Sequence, residues 1–259
     1  MHRSPPPTST TSNPPTTTST AALHTLLLLS DSALPLGSFA FSSGLESYLA
    51  HHRPPPPQPL NTFLPLSLRS LASTSLPYLR SAHRDPSLLT SLDNDLDAST
   101  LCPVARRAST AQGRALLGVW ERSLRAHHVG SEDDGSGVKA LKAFSAQLRA
   151  SAGDAYPAAG HFAPVWGVVT RVMGVGEREA GYVFLFAAAR AVVSAAVRAS
   201  VMGPYEAQGV LAGRELGGLI EGLLGEFWDV QVEGAGQSVP AVDLWVGRHE
   251  VLYSRIFNS

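Results

Sequence analysis

Nine histidines and a single cysteine are the residues of this 259-residue chain best suited to holding a metal ion. The pairs His51 with His52 and His127 with His128 are adjacent. On a helix their imidazoles point about 100° apart, unlike an i, i+4 pair that can share one ion. Cys102 has no second cysteine and no histidine near it in sequence, which suits a small buried residue better than a thiolate ligand. Serine catalysis would need Ser42 or Ser43 to meet His249 and Asp243. No GxSxG turn between strand and helix supports it, and Ser43 with Glu46 three places on reads as a helix capping box. Phosphate chemistry is disfavoured too. The only lysines, Lys139 and Lys142, follow no glycine-rich loop, and GVGERE (174–179) lacks the third glycine and preceding strand of a dinucleotide site. The chain reads as an interaction protein, not an enzyme.

Composition narrows the partners. The formal charge is −1 and the 20 basic residues are scattered, so no basic stripe is offered to nucleic acid. One cysteine permits no internal disulfide, which fits a reducing compartment and gives cytoplasm as the expected location. Residues 1–22 are rich in Pro, Ser and Thr and are expected to form a disordered tail, without the apolar centre of a secretory signal. AGYVFLFAAARAVVSAAV (180–197) is the most membrane-like stretch, but Arg190 sits inside it at a cost of about 2.5 kcal/mol or more near a bilayer centre. A buried core helix is expected there, with no membrane partner.

The elements that must position any site are helical almost throughout. The periodicity predicts a helix from residue 23, a second from Ser43 to about His52, and two short helices over 60–82 separated by Pro65 and Pro77. A long amphipathic helix follows over 104–128, then a solvated loop over 130–137. Helices are expected at 138–150, 162–174 and 177–202, and Gly203 and Pro204 open another reaching about Leu224. The fold class is all-α, a single domain over 23–259 built from about eight to ten helices. The segment 240–259 is apolar and aromatic, which asks for a binding surface.

SALPLGSFAFSSGLE (32–46) resembles the N-terminal signature of the UreF-type urease accessory proteins, in which a Pro, a Gly, aromatics and Ser-x-Gly-Leu-Glu recur. LDNDLDASTLCPVARRASTAQGRALL (92–117), the blocks from HFAPVWGVV to SVMGPYEAQGVLA (161–212) and RHEVLYSRIFNS (248–259) are similar to further family stretches. The resemblance implies an all-helical homodimer that binds a UreD/UreH-type accessory protein and recruits the UreG-type GTPase, so that nickel reaches apo-urease when GTP is hydrolysed. It implies no tightly bound cofactor, nickel being handled by the complex. A metallochaperone binding nickel directly through histidines and Cys102 is the alternative.

Carried onto this sequence, the resemblance gives partner recruitment to Arg255 and Arg198, places Glu46, Gln208 and His249 in matching motifs, and sets Tyr182 and Phe186 at a two-fold interface. The residues themselves leave some roles open. The Pro35–Gly37 turn frees Phe39 and Phe41 from helical continuation, for a protein surface or for the core. Tyr253, Arg255 and Phe257 alternate along the closing segment, as an interface or as a tail folded back on the chain. Arg190 could join Arg198 along one polar seam or simply snorkel.

Overall fold

The structure is a computed structural model that describes residues 20–52, 57–128 and 135–258. Among them all regular structure is helical and no strand occurs. Helix α1 spans Thr20–Ser30, so Thr20 to Ala22 are helical although the sequence assigned them to the tail; residues 1–19 of that tail lie outside the described residues. Helix α2 (Leu45–His51) does not start on a Ser43 cap. Ser43 and Gly44 both adopt positive φ, 54° and 88°, and the chain enters the helix through this left-handed turn.

Helix α3 runs unbroken over Pro59–Arg84, which corrects the expected pair of short helices. Each internal proline deletes one helical donor and costs about 3 kcal/mol. Against this, Phe63, Leu64, Leu68, Ala72, Leu76 and Leu79 are buried on the same helix. Full burial of a large apolar side chain returns about 1.5–3 kcal/mol, so together they outweigh Pro65 and Pro77. Local propensity lost to packing.

Helix α4 (Leu89–Ser99) was not read from the sequence; Asp85 opens it by accepting the Ser87 N–H at 3.0 Å in a short 3₁₀ turn. The predicted helix over 104–128 is α5 (Pro103–Val119), a π turn (Trp120–Leu124) and the four-residue α6 (Arg125–His128). Helix α7 (Ser136–Ala150) takes in the end of the predicted loop, of which 130–134 lie outside the described residues. After α8 (Phe162–Val172) and α9 (Glu177–Arg198), the single helix expected from Pro204 is two. Gly213 is extended, with φ −66° and ψ 141°, and separates α10 (Pro204–Ala212) from α11 (Arg214–Phe227). Helix α12 (Pro240–Arg248) completes twelve α-helical segments among the described residues, more than the expected eight to ten because breaks within helices are invisible to periodicity.

The core is layered around α3, which packs most extensively on α8 and then on α9. The close α3–α8 crossing has a visible cause: a Cβ on Gly167 would lie 2.2 Å from the Leu79 carbonyl oxygen. Helix α9 is long and apolar enough to cross a membrane, yet more than half of its most apolar window is buried inside the chain. It packs against α3, α8, α10 and α11, with most of its alanines and valines buried or half-buried. Arg190 neither snorkels nor pairs with Arg198: it donates to the Ser30 carbonyl oxygen and holds the end of α1 on α9.

Gly167→Ala is therefore expected to lower unfolding stability by about 1–3 kcal/mol through overpacking against backbone. Gly222→Ala, at an open position of α11, should instead raise it by roughly 0.5–1 kcal/mol. Urea unfolding of the two variants checks both signs.

Candidate functional site

The residues singled out at the two ends of the sequence meet in space. Glu46, in the first turn of α2, accepts three hydrogen bonds through its carboxylate. His249 Nε2 donates at 2.9 Å, the Ile256 N–H at 2.6 Å and the Phe257 N–H at 3.2 Å. A carboxylate only accepts, so it fixes His249 with the proton on Nε2. Hydrogen bonds to a charged acceptor are about twice as strong as neutral ones, and this acceptor is only 12% exposed. The segment is pinned again where the Asn258 N–H donates to the Ala40 carbonyl at 2.8 Å.

Around this latch the chain supplies a second layer. Phe257 is 5% exposed, and the Arg198 guanidinium lies 4.4 Å from its ring centroid and 5.9 Å from that of Phe39. Arg107 of α5 donates to Glu250 and, at 3.1 Å, to the Asn258 carbonyl; Arg255 donates to Glu250 at 3.1 Å. The hydrogen bond from Arg107, reinforced by Arg255, holds the Glu250 carboxyl below the usual carboxylate range. Tyr48, Phe63 and Trp245 stack with centroids 4.7 to 5.8 Å apart and fasten α12 to α2 and α3. Gly44 is required there twice over, by its φ of 88° and because its Cβ would lie 3.0 Å from Val246.

The structure thus divides the candidate partner residues. His249 and Phe257 are buried inside this chain and Glu46 is nearly so, and they build the latch instead of facing a partner; Phe41 is buried too, at the wall of a cavity, so its reading as a partner contact is likewise corrected. Phe39 is half-buried beneath Arg198. Tyr253 is fully exposed and the Arg255 side chain 44% so, joined by Val251 at 74%, Ile256 at 65% and Leu244 at 64%. Gln208 is exposed on α10, away from this cluster's hydrogen bonds. Tyr182 and Phe186 sit half-buried on α9 against the main core, with the Tyr182 hydroxyl over Gly217 of α11.

Catalytic and metal arrangements were sought as well. Asp243 accepts from Gln237, and His249 is committed through Nε2 to Glu46. A different row does form: Ser109 Oγ is 3.0 Å from His161 Nδ1, and His161 Nε2 is 2.9 Å from Asp97 Oδ1. His161 is fully buried, Asp97 also accepts from Arg106, and Ser109 accepts the Phe162 N–H at 3.2 Å. These bonds tie α4 and α5 to the first turn of α8. Alongside, the buried Asp93 accepts the N–H groups of Ala159, Gly160 and His161, while Arg114 donates to the Ala158 and Ala159 carbonyls. Burial alone would raise the Asp97 carboxyl; the hydrogen bonds from Arg106 and His161 outweigh it and hold the group below its ordinary value. Among the described residues no group of three or more His, Cys, Asp or Glu could hold a metal ion. His51, His52 and His128 turn their Nδ1 atoms to the carbonyls four residues back.

Arg107, Asn258 and the Asp93 and Asp97 networks were missed in the sequence. Most of their partners lie tens to more than a hundred residues away, so periodicity carried no trace of them, although Asp93, Asp97, Arg107 and Asn258 all stand in quoted motifs.

Known proteins resemble this chain over most of its length. A family model described as UreF matches residues 57–214. A Schizosaccharomyces pombe protein named as an uncharacterized urease accessory protein UreF-like is 38% identical over 236 residues, covering 91% of this chain and 97% of its own length. The Arabidopsis thaliana urease accessory protein F is 31% identical over 233 residues, covering 89% of this chain and 90% of its own. A Corynebacterium efficiens urease accessory protein UreF is 26% identical, with 89% and 94% covered.

Two outcomes follow. Glu46→Ala, which leaves three donors without an acceptor, should cost about 1.5–3 kcal/mol in urea unfolding. Because the Asp97 pKa is depressed on folding, its contribution is present above the usual aspartate value near pH 4 and lost as pH falls through the lower folded value. Wild type should therefore lose more stability than Asp97→Asn between about pH 5 and pH 3.

Proposed function

This chain belongs to the UreF family, its role lies in urease maturation, and we propose that it acts there as a non-catalytic scaffold. In this reading it is a cytoplasmic homodimer that binds a UreD/UreH-type accessory protein and, with it, recruits a UreG-type GTPase for nickel insertion into apo-urease. Nickel is cargo of the complex and not a resident cofactor of this chain. Tyr182 and Phe186 on α9 serve the two-fold contact, and Gln208 and Arg198 the recruiting face.

One observation carries the proposal. The latch folds the closing segment back on the chain, and in doing so it turns Val251, Tyr253 and Ile256 outward beside Arg255. An ordered, exposed strip of tyrosine, arginine and aliphatic residues is the composition from which interface energy is drawn. Ordering the strip in advance also removes part of the entropy cost of association.

Co-expression of the full chain with a UreD/UreH-type protein tests this. Tyr253→Ala combined with Ile256→Ser should weaken co-purification at least tenfold, about 1.4 kcal/mol, with an unchanged unfolding midpoint. Undiminished co-purification would count against the strip as the partner surface.

A further inference from the structure

A cavity of about 250 Å³ lies between α3, α5 and α12, and its mainly apolar lining carries a cluster of hydroxyls. Helix α3 contributes Ser67, Ser70, Thr74, Ser75 and Tyr78, all on the cavity wall. Ser67 and Ser70 are 8% and 6% exposed, and neither side-chain hydroxyl has a hydrogen-bond partner among the described residues. The Ser70 carbonyl is occupied by Ser73 and Thr74, but its hydroxyl is free to face the cavity. Serine favours helix interiors less than alanine. The two hydroxyls stand one turn apart on α3 at the cavity wall and offer hydrogen bonds to an occupant.

The rest of the wall sets the occupant's charge. No lysine, arginine or histidine lines the cavity. Its one carboxylate, Asp243, already accepts from Gln237 at 2.8 Å. An anion would find no cation, and a bare metal ion would find no set of converging ligands. Phe162 of α8 and Phe184 and Ala188 of α9 also line the cavity and suit a small apolar body. The volume falls below the roughly 300–1,000 Å³ typical of drug-sized ligands.

We infer that this cavity is a binding site for a small uncharged molecule bearing hydroxyl or amide groups, held by Ser67 and Ser70 and by the apolar wall. The site is separate from the exposed strip at Tyr253 and goes beyond the scaffold role.

Saturation-transfer NMR on the full chain tests it, with acetamide as the neutral probe and acetate and ethylammonium as charged counterparts of similar size. Acetamide should give a saturable signal, and the two ions should give none. In Ser67→Ala/Ser70→Ala the half-saturation concentration should rise at least threefold. A cavity that holds water only would give no acetamide signal, and that result overturns the assignment. Equal signals from the ions, or unchanged affinity in a folded double variant, would overturn it too. If the double variant does not fold, the comparison of neutral and charged probes on wild type decides alone.

Discussion

A single carboxylate organises the meeting of the α2 turn with the closing segment. Glu46 sits at the start of α2 and gathers donors from His249, Ile256 and Phe257, more than two hundred residues further along the chain. Without it the closing segment would hold to the body through Phe257, the Arg107 contacts and the Asn258 to Ala40 bond. The carboxylate adds what those contacts lack: a fixed register, since both backbone donors are consecutive. That register buries Phe257 and turns Ile256 out. The glycine-rich turn before α2 exists to aim this group. Gly44 gives up a side chain so that α12 can lie against it, which brings His249 within reach.

The helical body explains why such a latch can be rigid. The crossing of α3 and α8 at Gly167, the aromatic stack of Tyr48, Phe63 and Trp245, and the buried Asp93 fastening residues 159–161 make the surfaces beneath it stiff. Charge is used here as a fastener with both oxygens of Glu46 and of Asp93 occupied, which is the condition under which buried carboxylates stabilise rather than destabilise a fold. His249 shows the limit of that economy, because its Nδ1 is buried and has no partner among the described residues.

Most of the helices could be read from periodicity and from glycine and proline, and the exceptions have physical causes. Pro65 and Pro77 signalled breaks that burial of Phe63, Leu68 and Leu76 overrode. Gly213 lies inside an apolar pattern that continues on both sides, so nothing local announced the break between α10 and α11. The site was half legible. Residue types marked Phe39, Glu46, Arg198, His249 and Phe257, and the structure brings all five together. Their roles were not legible, because whether an aromatic or a carboxylate faces inward depends on partners two hundred residues away. Capping chemistry in particular misled: the Ser43 and Glu46 spacing fits a capping box, but the glutamate is spent on the closing segment instead.

The central claim is that Glu46 fixes the closing segment, and amide hydrogen exchange on the full chain measures it most directly. In wild type the Ile256 and Phe257 amides should be protected while that of the exposed Tyr253 exchanges quickly. In Glu46→Gln, which keeps the shape and removes the charge, exchange at both protected amides should accelerate at least tenfold while amides within α3 stay unchanged. Unaltered protection at Ile256 and Phe257 in that variant would contradict the account.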